Sequence, residues 1–542
     1  EFKQQHKAFL NFLPMADRLE ILIELSETSA YFDQVNLSNL QLKRYLRMNR
    51  FMAVFRVLFL MTVIQIPLYS DDAERTAKYF QKIRKNEGML TAFFNGMPKG
   101  GDIHHHFSGS IYAESYFDVA VSKNFYLNIE TGDTYQDIPP HLANDPNIKH
   151  LKTFIDEMGY LPVKLKLITL WSVKDFKRSQ KTPDKHFFEA FRKFGPIIKG
   201  NEDIFLKEIK RRAILENVQY LETMFLRPEY NKTNADFQKY ADRYTPVLHE
   251  IQDQKDVNHL NQILDEMFDH LKDSLSFSAY AEKHSKFIEK NHKLARLPDE
   301  EEKLLLIRYQ NFVMRTENPA DIFAQIFLCF YSDQISDLIV GTNIVGPEDH
   351  PIAMRDYWLH MQMFSYFHRK FPKLKYSLHA GELTIGVLPP EDLSWHIRSA
   401  IFDAGASRIG HGLDIYYEKD CYSILNHMKK NRIPVEINLI SNEFILEVLD
   451  DYHPFMLYHK AGVPIIITSD DMGVLRTSFT DQFAVLAKRY RTISYKDIKG
   501  FIYNSIQYSF LENKEKKKMK DILDSRFTVF EKNISENVFS DF

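Results

Sequence analysis

Cysteine is almost absent from this chain. Its 542 residues contain two, Cys329 and Cys421, too few for a disulfide framework, and one bridge between them is left open. Also missing is a glycine-rich phosphate turn after an early strand, which argues against an open, doubly wound sheet. The net charge is only −3 and the pI near 6.8, so neither nucleic acid nor an anionic membrane is expected as a partner. Lys514, Lys516, Lys517 and Lys518 are interspersed with Glu512 and Glu515 and read as a solvated helix face. Residues 51–66 are apolar, but Arg56 and Gln65 interrupt them and the run is too short and mixed for a membrane span. There is no internal repeat and no low-complexity segment.

Hydrophobic residues make up 44% of the chain, ample for a large core. Short apolar runs recur at 102–106, 218–224, 311–314, 338–344, 376–379, 408–410, 435–438 and 465–469, separated by amphipathic stretches. Polar residues gather at their C-terminal ends. Parallel strands buried on both faces read this way, and eight of them predict an α/β fold of the TIM type, a (β/α)8 barrel with its reactive rim at those ends. The chain is far longer than the about 250 residues of a bare barrel, so an N-terminal extension and insertions are required. The expected organisation is an extension over 1–70, a helical lead-in over 71–100, and a barrel domain over 101–542. Insertions are expected near 122–165, a loop-rich excursion, and near 229–305, a set of added helices.

The reactive residue types stand at strand ends. The segment Met97-Pro98-Lys99-Gly100-Gly101-Asp102-Ile103 leads into His104-His105-His106. Side chains alternate faces along a strand, so His104 and His106 point one way and can share an ion, while His105 points the other. Downstream lie His379-Ala380-Gly381-Glu382, His411-Gly412 and Ser469-Asp470-Asp471. His379 and Asp470 each close a strand-like run and are the natural third and fourth ligands of one zinc ion per chain. Taken singly, each histidine reads as a hydrogen-bonded core or surface residue, Glu382 as a surface carboxylate and Asp470-Asp471 as a helix N-cap. Four ligands on strand ends outweigh those separate readings.

At the amino end, residues 48–70 have the pattern of a signal peptide: Met48 and Arg50, an apolar core from Val57 to Ile64, and Ser70 before Asp71-Asp72. That predicts export, periplasmic or secreted, with Met48 as the start and the mature chain beginning near Asp71. The alternative is a cytoplasmic chain in which the segment is a buried helix.

These motifs carry a resemblance. Residues 97–109, His379-Ala380-Gly381-Glu382, Arg408-Ile409-Gly410-His411-Gly412 and Thr468-Ser469-Asp470-Asp471 resemble strand ends of the adenosine deaminase family. Gly341-Thr342-Asn343-Ile344-Val345-Gly346 resembles that family's fourth strand and the glycine ending it. The likeness runs in order from about residue 97 to the C-terminal helices. Met97-Pro98-Lys99-Gly100-Gly101 resembles the secreted, growth-factor-like branch and its bacterial relatives.

The resemblance implies hydrolytic loss of ammonia from the six-position of a purine, with zinc lowering the pKa of water. His411 would orient that water and take its proton. Glu382 would meet the ring nitrogen beside the reacting carbon and donate a proton. Asp471 would hydrogen-bond the imidazole edge of the purine, and the Gly346 amide would hold the other side. Ser108 stands where the cytosolic enzymes have an aspartate thought to meet the sugar 5′-hydroxyl, which removes one barrier to nucleotides without supplying a cation. The substrate implied is a small purine nucleoside, adenosine or 2′-deoxyadenosine. The alternatives are a nucleotide or modified purine, or an adenosine-binding signalling protein with weak catalysis. The mature chain is expected to insert in no membrane, and a homodimer is left open. The Pro-Cys-x-x-Cys pattern of the cytosine and nucleic-acid deaminases is absent. So is a lysine over 338–346 of the kind binuclear amidohydrolases use, which favours one metal ion.

Overall fold

The computed structural model describes residues 71–537; the signal-like segment 48–70 lies outside them. Eight strands carry the architecture: β1 (Gly100–His106), β2 (Val218–Leu226), β3 (Leu306–Met314), β4 (Ile339–Val345), β5 (Ser377–Ala380), β6 (Arg408–His411), β7 (Val435–Ile437) and β8 (Ile465–Ile467). Neighbours in sequence are neighbours in space and every pairing is parallel, in two four-stranded arcs, β1 to β4 and β5 to β8. Single bridges between Thr342 and Tyr376 and between His105 and Asp470 join the arcs at both seams, so the ring closes. Helices lie between successive strands, as parallel crossovers demand.

The interior beneath the rim is polar rather than apolar. Arg408 on β6 is fully buried and ion-paired to Glu222 on β2 and Glu436 on β7, while Gln310 on β3 donates to Glu222 (2.8 Å). The Arg408 guanidinium also lies 3.6 Å from the centroid of the Phe510 ring, beneath the barrel. Buried charges in this number need complete pairing, which the network supplies. At the foot of β1 the helix Tyr495–Gln507 comes so close that a Cβ on Gly100 would lie 2.9 Å from the Ile502 carbonyl oxygen; its φ of +63° is likewise a glycine conformation.

Strand bounds differ from expectation chiefly in β3, which begins at Leu306 and not at Asn311. Arg308, paired with Glu515, and Gln310, which faces the polar interior, interrupt its apolar pattern. Around 122–165 the chain forms a small antiparallel sheet of Tyr126–Asn128, Thr134–Tyr135 and Ile148–His150, followed by the helices Leu151–Met158 and Tyr160–Leu170. Between β2 and β3 run the long helices Ala235–Gln254, Val257–Asp269 and Phe277–Leu294. Cys329 and Cys421 are both free. No helix among the described residues is long and apolar enough to cross a membrane.

Candidate functional site

The C-terminal ends of the strands meet in a cavity of about 320 Å³. His106, Ser108, Gly346, His379, Glu382, His411, Asp470 and Asp471 line it, so every candidate but His104 borders the cavity directly. His104 sits just beneath, its ring 4.5 Å from that of His379 and 5.0 Å from that of His411. His105 turns away, as strand alternation requires, and its Nδ1 meets Thr223 on β2 (2.9 Å).

The nitrogens of the cluster face one another. His106 Nε2 lies 3.2 Å from His379 Nε2 and 3.3 Å from Asp470 Oδ1; His104 Nε2 lies 3.6 Å from the same carboxylate oxygen. Two outer contacts fix the ring hydrogens. His104 Nδ1 donates to Glu436 Oε2 (2.6 Å) and His379 Nδ1 to Asn343 Oδ1 (2.9 Å), leaving both Nε2 lone pairs turned inward. His104 Nε2 is buried and has no hydrogen-bond partner. Inward lone pairs beside a carboxylate repel one another unless a cation lies between them. Burial holds His106 down at about 3 and His379 well below the usual imidazole range, which favours the neutral form a metal takes, while His104 is raised, against burial, by its bond to Glu436 and the nearby Asp470. The site therefore fits a metal ion held by His104, His106, Asp470 and His379. Among the described residues two triads have ligand atoms close enough to share an ion, His104 with His106 and Asp470, and His104 with His379 and His411.

Around this centre the acids are set apart by their surroundings. Burial, with the Asp470 carboxylate nearby, raises Glu382 well above the usual carboxylate range. Asp471 is raised well above it by the same two causes, and its Oδ1 has no partner. A Cβ on Gly109 would lie 1.5 Å from that oxygen, so only glycine leaves room for it. His411 is pushed well below the ordinary imidazole value by burial and by His104; its Nδ1 lies 2.9 Å from Asn442 Nδ2 and 3.5 Å from Glu382 Oε1. His411 and Asp470 have φ of +65° and +61°, rare for residues with a Cβ and characteristic of backbone bent to aim a side chain.

Sequence reasoning missed the residues behind these. Glu348 accepts the backbone N–H groups of Gly381 (3.1 Å) and Glu382 (3.0 Å) and pairs with Arg315 and His396. Arg315 in turn donates to the His379 carbonyl (2.6 Å), so the loop after β5 is held from both sides. Glu348 follows Gly346 by two residues, and that proximity was the only signal for it. The outer wall of the cavity is apolar: Phe187, Phe188 and Phe191 from the helix Pro183–Ile198, with Phe312, Met314 and Ile445. The aromatic triplet was visible in sequence as Phe187-Phe188 with Phe191, but nothing local placed that helix over the rim.

Residues 300–526 match the model of the adenosine deaminase family. Adenosine deaminase of Clostridium botulinum (strain Langeland) is 32% identical over 146 residues, which are 27% of this chain and 40% of that one. The Clostridium kluyveri adenosine deaminase is 32% identical over 195 residues, 36% of this chain and 51% of that one. The matches thus span about half or less of those relatives. Among solved structures, the Arabidopsis N6-mAMP deaminase superposes with a TM-score of 0.50 at 18% identity, covering 80% of this chain and 99% of that one. At that identity the likeness is one of fold.

Proposed function

We propose, for a chain whose residues 300–526 match the adenosine deaminase family, zinc-dependent hydrolytic deamination of adenosine or 2′-deoxyadenosine, giving the inosine product and ammonia. The observation that carries this is the inward-facing set of His104, His106, His379 and Asp470 directly beside two acids, Glu382 and Asp471, that burial raises well above the usual carboxylate range. When bound, one zinc ion supplies Lewis acidity that brings the ionisation of water towards neutral pH.

The chain's own residues supply the rest. A protonated Glu382 donates to the purine ring nitrogen adjacent to the carbon under attack, so electron density withdrawn from that carbon is neutralised as the new bond forms. Glu348 holds the Glu382 backbone, which fixes where that proton is presented. Asp471 hydrogen-bonds the imidazole edge of the purine, and the Gly346 amide holds the opposite side. His411 orients the attacking water. The aromatic residues of the helix Pro183–Ile198 close over the base and exclude bulk solvent.

A nucleoside fits the wall better than a nucleotide, because no lysine or arginine lines the cavity. The second reading, a purine nucleotide, has one observation in its favour. An adjoining open cleft shares Phe188 and Pro347 with the cavity and carries Lys185, Arg192 and His350, though Asp184, Glu189 and Asp349 line it too. Incubation with adenosine, 2′-deoxyadenosine, AMP and adenine, followed by the ultraviolet shift to the hypoxanthine chromophore, tests the assignment. The nucleosides are expected to turn over best. A preference for AMP of about tenfold or more in kcat/KM transfers the assignment to nucleotides. Binding of adenosine with no turnover would make the chain a binding protein.

A further inference from the structure

A buried line of hydrogen bonds reaches His411 from behind. It starts at the helix Phe455–Ala461, where the Phe455 backbone N–H donates to His453 Nδ1 (3.1 Å). A ring nitrogen that accepts carries no hydrogen, so neutral His453 has its hydrogen on Nε2. Burial holds His453 in that neutral state, with its pKa at about 3. His453 Nε2 then donates to Asn442 Oδ1 (3.1 Å). With its oxygen so engaged, Asn442 turns its amide nitrogen to His411, 2.9 Å from Nδ1. Glu382 Oε1 and Asn438 Nδ2 both lie 3.5 Å from the same nitrogen, and Asn438 Nδ2 is 3.5 Å from Nε2 as well. All three contacts are too long to compete with the one at 2.9 Å. His411, Asn442 and His453 are all buried, so water does not reverse the direction of the line. A backbone N–H cannot change roles, and the polarity of every later bond follows from it.

We propose that Asn442 and His453 are positioning residues that fix the tautomer of His411, so that its ring presents an Nε2–H rather than a lone pair to the oxygen attacking the purine. The inference rests on the deaminase reading given above. His411 then acts as a preorganised donor to an oxygen on which negative charge is concentrated. The proton-accepting role that the family resemblance implied for it needs the other tautomer. On this assignment the proton of the attacking water goes to solvent and not to His411.

Nitrogen NMR of the zinc-loaded full chain, labelled with 15N in its histidine rings, tests this. The His411 signals are assigned by their loss in His411→Gln. Wild type is expected to show a pyridine-type Nδ1 and a pyrrole-type Nε2. Asn442→Asp replaces the donor by a carboxylate that accepts from Nδ1–H. It should exchange the two signal types and lower kcat roughly 10²- to 10³-fold, at unchanged zinc content and nearly unchanged KM. Asn442→Ala, which withdraws the donor without adding charge, serves if the aspartate variant does not fold; it should give a mixture of ring forms and about a tenfold or larger loss in kcat. A pyrrole-type Nδ1 in wild type, or an unaltered ring pattern in the variant, overturns the inference. If the ring pattern is as expected and no purine is deaminated, the proposed function fails while the tautomer assignment stands. Deamination with the reversed pattern has the opposite meaning.

Discussion

The two arcs of the barrel are built differently. Strands β1 to β4 have seven, nine, nine and seven residues, and the extra sheet and long helices stand between them. Strands β5 to β8 have four, four, three and three, and each carries at or near its end a residue of the site or its supports: Glu382, His411, Glu436 and Asp470. A strand that continues regularly sends its side chains to fixed faces. One that stops can bend its backbone to aim a group, as the positive φ at His411 and Asp470 does, at about 1–3 kcal/mol for each such residue. Long regular strands provide the frame and short interrupted ones the chemistry. The family match, over residues 300–526, spans β3 to β8, two strands of the first arc and all four of the second. Of the proposed ligands, only His104 and His106, on β1, come from the first arc.

That exception is the first place to break the comparison. His106→Ala on β1 and His379→Ala on β5 are expected to abolish zinc binding alike and to reduce activity by more than about 10³-fold, because no remaining group ionises water near neutral pH. Metal analysis should find about one zinc in the wild type. If His106→Ala kept a full equivalent of metal while His379→Ala lost it, the centre would belong to the second arc alone.

Next in size is Glu382→Gln. It should retain zinc and thermal stability while kcat falls about 10²- to 10⁴-fold, since glutamine matches the shape and delivers no proton. Near wild-type turnover would move the acid elsewhere. Glu436→Gln leaves the ligands intact but weakens the acceptor that orients His104. A loss of about 10- to 100-fold in zinc affinity is expected, read by competition with a chelator. An unchanged affinity would show that β1 orients its ligand without help from β7.

Acid stability sharpens the contrast further. Glu348 and Glu436 are held at about 2 in the folded protein, with an ordinary value of 4.5, by Arg315 and His396 and by Arg408 and His104 respectively, against the upward push of burial. A folded value below the unfolded one means stability that is present above about pH 4.5 and lost as pH falls towards 2. Denaturant midpoints measured from pH 6 to 3 should drop over that window, and Glu348→Gln should flatten the drop. The smallest effect is expected at Ser108. Ser108→Asp should lower any AMP activity more than adenosine activity, by a few-fold, through repulsion of the phosphate. Equal losses on both substrates would show that residue 108 does not face the sugar end.

How much could be read locally follows the same division. All eight barrel strands were legible because buried parallel strands are continuous apolar runs, and β3 was read short because Arg308 and Gln310 break its run over 306–310. The three-stranded sheet over 126–150 escaped notice because strands of two or three residues are too short to display an alternation. The inward residues of the site stood out through composition, since histidines and acids at strand ends are unusual. Glu348, Arg315, Asn442 and His453 did not, because each is an ordinary polar residue whose partner lies far away in the chain.

Strand order, the polarity of each strand end and the types of reactive residue were thus set by the sequence itself, since alternation and apolar run length are properties of neighbours along the chain. Tertiary structure alone decided the closure of the ring through two single bridges, the descent of the helix Pro183–Ile198 over the rim, and the direction of the hydrogen bonds that reach His104, His379 and His411. The reason is physical. A ring hydrogen or a raised carboxyl pKa depends on what surrounds the group at 3 Å, and in a closed barrel those surroundings come from strands hundreds of residues apart.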